Sequence, residues 1–471
     1  MGVGVWLLCS AALAQEQPAT DQAATDQAAS GQVFDDVADS LVTMMEPRWT
    51  GARVPHPDEV PRPDRPLARR SLFLPLAVHA DASVPATRVD AVLRALEHAY
   101  LLSDAAGFGL PWPDGGRGDT GGFDLYLSPT ARGADAYADA PLGFAFLDGV
   151  SSYATVDPKV DESRLESCVA QALAEASFLS QDPAEARQWR YAYGAWLAFA
   201  QTGSFGCQDP VAAQQEEPWR SYVNDGAEDG AGGALLLEAL SLPRDGGSGA
   251  FVRDVVQFAR QRTWQGEDLR ASPDLWETIH AVTEHSSDKL PYVLLRLAED
   301  RYFLGSEERR VGATNRGLFA ADMGAEVPLF WRTRWSDLPA HSPTMEPEME
   351  PYGSSYAVVD VRGAPPNAVL RVWLRGEYGV EWSMGTMRLD AEGHERGRMR
   401  APPRGDTPRC YLPVQLDEGT ASVVIVALSL SGRLPDADYM DENIRTFQLI
   451  VDAEAPSPEA PAPAAPTAPT P

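Results

Sequence analysis

The side chains that could hold a metal ion or move a proton gather in a few places along the 471 residues. "IHAVTEH" offers His280, Glu284 and His285. His280 and Glu284 share a helix face, but His280 and His285 are five apart and diverge by about 140° on a helix. Solvated or boundary histidines are the simpler reading there. "PDGGRGDTGGFD" sets Asp114, Asp119 and Asp124 on a Gly-rich loop. Oxygen ligands on such turns suit calcium, yet the spacing matches no EF-hand loop, so a flexible turn is expected. His56, His79, His98, His341 and His394 fall in separate elements with no ligand spacing. No Gly-x-Ser-x-Gly elbow, phosphate loop or Cys-x-x-Cys is present, and Cys410 reads as a small buried residue.

The densest stretch is "SCVAQALAEASFLSQDPAEARQWRYAYGAWLAFAQTGSFGC", residues 167–207. Ser163 can cap a helix with Leu165, Val169, Ala172, Leu173 and Ala176 on one side. Asp182-Pro183 ends that helix and opens the next, because Pro is accepted in a first turn. Trp189, Ala192, Trp196 and Leu197 then face the partner. Antiparallel helices on so short a link bring Cys168 beside Cys207, and a disulfide is expected in an oxidising compartment. Closing a loop of about 39 residues contributes about 4 kcal/mol in the chain-entropy model. Spacing alone does not fix connectivity, and two free thiols are the alternative.

Around the hairpin, periodicity places the supporting elements. "SLFLPLAVHA" reads as a strand and "RVDAVLRALEHAYLLSDA" as an amphipathic helix. "FDLYLSP", "GFAFLD" and "SSYATVDP" follow as strands. Beyond Cys207, "DGAGGALLLEALSL", "GAFVRDVVQFARQRT", "DLWETIHAVTEH" and "KLPYVLLRLAEDRYFL" read as helices with no strand between them. From about residue 312 short alternating runs take over: "EVPLFWRTRW", "SSYAVVDVR", "NAVLRVWLRG", "GHERGRMRA", "RCYLPVQL", "ASVVIVALSL" and "RTFQLIVDA". Their number and spacing predict a β-sandwich. In "RVWLRGEYGVEW" the aromatics could line a ligand face, although alternating aromatics in a sandwich more often face the core. The fold class is α+β.

Composition narrows the function. With 44% apolar residues and 12 Trp the chain can bury real cores, and its formal charge of −29 opposes nucleic-acid binding. Arg69-Arg70 and Arg309-Arg310 are the adjacent basic pairs, the second cancelled by Glu307 and Glu308. "MGVGVWLLCSAALAQEQ" matches a signal peptide cleaved after Ala14, though without a basic start. No other run approaches the ~18 apolar residues of a membrane span. Export to the periplasm or the extracellular space is therefore expected, with no membrane insertion. The expected organisation is a signal at 1–14, a disordered or extended leader at 15–68, a mixed-sheet and helical domain at 69–305, the sandwich at 312–453 and a Pro/Ala tail at 454–471.

The order strand, helix, strands, "YATVDP", then the hairpin resembles the gluzincin-type secreted metalloproteases of myxobacteria and their relatives. In that family the first hairpin helix carries His-Glu-x-x-His and the second a glutamate ligand, which together hold Zn²⁺ and activate water. Aligning the pattern on "AQALAEAS" puts Gln171 at the first His, Ala172 at the catalytic Glu and Glu175 at the second His. Tyr191 then takes the ligand Glu. All four depart from the pattern, while Ala174, Ala176 and Trp189 keep the frame. The resemblance therefore implies a gluzincin-like fold without catalytic residues, catalytic zinc or any other cofactor.

It also implies how a ligand would be held. Zincins hold substrates along the strand beside the active-site helix, which makes Ser152, Tyr153 and Thr155 the expected peptide-binding edge. The expected function is a binding or scaffold module for an extended peptide or an envelope protein. Two rivals stand beside it: an active hydrolase with a non-standard site such as Glu175 with His280, and an envelope structural or adhesion protein with the sandwich as its binding end.

Overall fold

The computed structural model describes residues 53–54, 60–118, 120–139, 149–207, 210–222, 232–260, 269–270, 274–284, 289–305, 325–378, 380–401, 409–431 and 445–454. The expected signal peptide, most of the leader, the strand expected at 143–148, Asp119, His285, Arg309-Arg310 and residues 455–471 lie outside them.

The first part of the chain builds a layer of sheet on helix. A two-residue strand β1 (Arg53–Val54) precedes β2 (Leu67–Arg70), β3 (Leu76–His79), helix α1 (Ala86–Ala105), β4 (Phe123–Leu127), β5 (Ala134–Ala138) and β6 (Ser152–Val156). All but β1 form one sheet in the order β2-β3-β4-β6-β5. Neighbours β3, β4 and β6 run parallel, and the outer strands β2 and β5 run antiparallel to them. The expected edge is thereby corrected. Strand β6 is interior, its backbone paired on both sides, and Ser152, Tyr153 and Thr155 are buried. The edge among the described residues is β5, whose "ADAYA" has a single strand-favouring residue, Tyr137, among Ala and Asp, which are depleted in strands, and so gives little signal. Leu72 and Phe73, expected in a strand, are exposed in the turn before β3.

The hairpin follows as α2 (Leu165–Leu179) and α3 (Arg187–Thr202). Helix α2 is buried on every side except at Glu166, because the sheet, α1 and α3 each take a face. A helix enclosed in this way has no polar stripe, and alanines at 170, 172, 174 and 176 keep it slim. The disulfide Cys168–Cys207 closes the hairpin, with its Cα atoms 4.6 Å apart.

Next come α4 (Pro210–Glu216), α5 (Gly233–Asp245), α6 (Ala250–Ala259), strand β7 (Leu269–Arg270) paired with β1, α7 (Leu275–Glu284) and α8 (Leu290–Arg301). The remaining strands are β8 (Leu329–Arg334), β9 (Ala340–His341), β10 (Ser354–Asp360), β11 (Val369–Gly376), β12 (Val380–Leu389), β13 (Glu395–Ala401), β14 (Arg409–Gln415), β15 (Ser422–Ser431) and β16 (Phe447–Glu454). They make a five-stranded sheet, β13-β12-β15-β10-β8, facing a four-stranded sheet, β14-β11-β16-β9. Strand β12 is not among the expected strands. Its Gly385 breaks the pattern, and a Cβ there would lie 2.4 Å from Glu299 Oε1 on α8, so the glycine marks a close helix approach.

Three cores result. One lies between the first sheet and α1 and α2. A second fills the space between the two sandwich sheets. The third joins α3 and α5–α8 to the other face of the five-stranded sheet. Strand β15 shows why its sequence is apolar throughout. Val423, Ile425 and Ala427 enter the sandwich core, while Val424, Val426 and Leu428 meet the helices. On β11, by contrast, Leu370, Val372 and Leu374 are core and the residues between them are not.

Candidate functional site

Gln171 and Glu175 are four apart on α2, so they stack on one face. Gln171 Nε2 donates to Glu175 Oε1 at 2.9 Å, and Gln171 Oε1 accepts the Cys207 N–H at 3.0 Å. Arg132, from the turn between β4 and β5, donates through both terminal nitrogens to the two Glu175 oxygens at 3.3 and 3.1 Å. The same guanidinium lies on the Tyr191 ring, 3.2 Å from its centroid. Gln171, Glu175 and Tyr191 therefore converge around Arg132. Ala172 does not join them and packs in the core beneath the first sheet. Helix α3 can come this close because residue 194 is glycine; a Cβ there would fall 2.5 Å from Glu175 Cγ.

The electrostatics favour a fixed ion pair. Burial pushes the Glu175 carboxyl up and Arg132 pulls it back. Burial works against the Arg132 charge, but the attraction of Glu175 wins and its pKa is raised. Donors for zinc are not available here. The Gln171 oxygen is already used, Ala172 offers none, Glu175 is neutralised, and Tyr191 presents its ring to a cation already in place. The residues present do not fit a catalytic zinc ion. His280 is half-buried on α7, which packs on α6 and α8, and it is not among the partners of Glu175.

Beside this pair a cleft of about 430 Å³ opens between β5, the end of α2 and the start of α3, with Val60, Asp135, Glu185, Arg190 and Tyr191 in its walls. Asp135 lies 3.5 Å from Arg132 and 3.7 Å from Arg190, tying the strand to the hairpin. The edge backbone can be read from its neighbours. Asp157 N–H donates to Gly133 O, and Asp139 N–H donates to Ser151 O. Antiparallel pairs alternate, so odd-numbered residues of β5 bond to β6, and Ala134, Ala136 and Ala138, all three buried, turn their backbone groups away from it. The Ala136 N–H already donates to Asp135 Oδ1 at 2.9 Å. At the far end of the cleft, burial and the neighbouring Asp274 and Asp182 push the Glu185 carboxyl well up. It accepts the N–H groups of Ala186 and Leu275 at 3.0 and 2.7 Å.

The Gly-rich loop brings Asp114 and Asp124 together, and their occupant is again a guanidinium. Arg62 reaches Asp114 at 2.8 Å, Asp124 at 2.6 Å and Asp139 at 2.7 Å. Asp124 also accepts from Thr120 Oγ1 and meets His79 Nε2, both at 3.0 Å. The Tyr153 hydroxyl donates to the carbonyls of Val60 and Pro61. The end of the leader is thus extended and clamped across the first sheet. Neither Arg62 nor Arg132 stood out in the sequence, where each is one arginine among many. Among the described residues, Asp390, Glu392 and His394 also lie near one another, on an exposed turn.

No family model matches the chain, and no curated protein matches it. Among solved structures it is similar to the enzymatically active domain of tailspike protein 4 of bacteriophage CBA120, at 9% identity over 22% of this chain and 14% of that one. The TM-score is 0.17, which carries no weight for fold or function.

Proposed function

We propose that the protein is a non-catalytic, peptidase-like binding module that holds an extended peptide along β5. The observation that carries this is the Arg132–Glu175 pair, which places a permanent cation among the positions aligned with the zinc motif. Arginine neither exchanges nor activates water, so the hairpin keeps a frame and has no means of hydrolysis. The reading is further supported by the place of β5 at the end of the first sheet among the described residues, beside the cleft, where a peptide that displaces what covers Ala136 could add as a strand. A peptide approaching Ala136 has to displace the Asp135 carboxylate from its N–H. Asp135 thus competes with the ligand until binding.

Export belongs to the same proposal. The disulfide is compatible with it, and no helix among the described residues is long and apolar enough to cross a membrane.

Fluorescence anisotropy with a library of labelled peptides tests the reading. A bound peptide should lose at least tenfold in affinity with Ala136→Pro, which removes an edge N–H, while the circular dichroism stays unchanged. Stoichiometric zinc with peptide cleavage abolished by Glu175→Ala would sink the proposal, as would peptide binding indifferent to Ala136→Pro.

A further inference from the structure

The four-stranded sheet buries one face in the sandwich and leaves the other outward. Pairing across β14, β11, β16 and β9 arranges that outer face in rows. One row runs Tyr411, Trp373, Ile450, His341, and the next runs Arg409, Arg375, Gln448. Tyr411 is 40% exposed and lies against Trp373, with ring centroids 5.2 Å apart. Arg371 lies over the Trp373 ring, 5.6 Å from its centroid, and pairs with Asp452 and Glu454. Arg375 and Arg409 are both exposed and directly opposite each other, and among the described residues neither has a carboxylate partner. Like charges facing across a sheet are destabilising, and here the two lie side by side on a chain of formal charge −29. An open cleft of about 430 Å³ joins the two rows, lined by Trp373, Arg375, Arg409 and Ile450 and, at one side, by Asp452, whose carboxylate is paired with Arg371.

We propose that this face binds an acidic sugar chain, with a uronate ring stacked on Trp373 and Tyr411 and its carboxylate taken by Arg375 and Arg409. A guanidinium pair one strand apart matches a single planar carboxylate, and guanidinium–carboxylate bonding is charge-assisted and directional. A broad flat ring with an apolar face suits the exposed Tyr411 and the half-buried Trp373, since aromatics keep large contact area at low conformational cost. A nucleic acid would need a longer basic track than two neighbouring arginines provide. This site stands apart from the β5 cleft and does not depend on the peptide reading.

The test uses the full chain and follows tryptophan fluorescence and calorimetry with tetramers of galacturonate, mannuronate and hyaluronan. At least one tetramer should bind saturably. Its affinity should fall at least tenfold in Arg375→Gln/Arg409→Gln and in Trp373→Ala, with melting unchanged, and at least tenfold on methyl esterification of its carboxylates. The proposal is overturned if none of the tetramers binds, if the ester binds as well as the acid, if the variants bind as the parent does, or if oligo-dT binds more tightly.

Discussion

At the scale of single residues, the buried Arg132–Glu175 pair sets the character of the hairpin. Removing one member of a buried pair strands the other charge, at about 3–5 kcal/mol. Replacing both by apolar groups of similar volume is often neutral or stabilising. Arg132→Met should therefore lower the stability measured by urea unfolding by about 3–5 kcal/mol. Arg132→Met/Glu175→Met should recover most of that loss, and a double variant as unstable as the single one would mean that the pair is not the unit. Much of this site was legible in the sequence. The zinc motif of the family that the hairpin resembles, aligned on the two helices, singled out Gln171, Glu175 and Tyr191. Arg132 was not legible, because it arrives from a turn whose own sequence gives no sign of what it will meet. Contacts made across such separations depend on the fold and not on spacing.

At the scale of elements, the clamp on residues 60–66 has a pH dependence whose sign can be worked out. Burial pushes the Asp124 carboxyl up, but the bonds from His79, Asp114 and Arg62 outweigh it and the value ends below the ordinary 3.8. A depressed carboxylate contributes stability that is complete above the unfolded value and is lost as pH falls through the folded one. Asp114 shifts the other way, raised by burial and by its bond to Asp124, and makes the loss shallower. The melting temperature should thus fall on acidification below about pH 4. Asp124→Asn should remove part of that fall; an unchanged acid dependence in the variant would count against the clamp. The sequence forecast the elements unevenly for physical reasons. Helices α1–α3 and α5–α8 and the strands with strong alternation were expected, whereas the short α4 was not. The β5 strand, mostly Ala with one Asp and one Tyr, and β12, interrupted by Gly385, carry patterns set by what packs on them. The expectation of an edge at β6 came from the resemblance, which sets the peptide-binding strand beside the active-site helix.

At the scale of the molecule, the five-stranded sheet is shared. Its inner face meets the four-stranded sheet and its outer face meets α5–α8. Polar contacts seal the seam. Glu299 on α8, raised by burial against the pull of Arg400, accepts from Arg400 Nη2 at 2.5 Å, and Arg398 Nη1 donates to Asp300 at 2.5 Å. Tyr356 on β10, pushed up to about 12 by burial, donates to the Ala298 carbonyl at 2.7 Å. One core spanning helices and sheet should melt as a unit. Calorimetry should therefore give a single endotherm for the helical and sandwich parts, and a chain ending at residue 305 should expose the apolar face of α8 and aggregate. Two well-separated endotherms would mean that the seam is not cohesive.

The arginine between Asp114, Asp124 and Asp139 has a practical corollary. A loop knitted by a calcium ion depends on the supply of that ion and can be unpicked by a chelator. Here the counter-charge is carried on the polypeptide itself, so at neutral pH stripping the solution of divalent ions should leave the loop with nothing to lose.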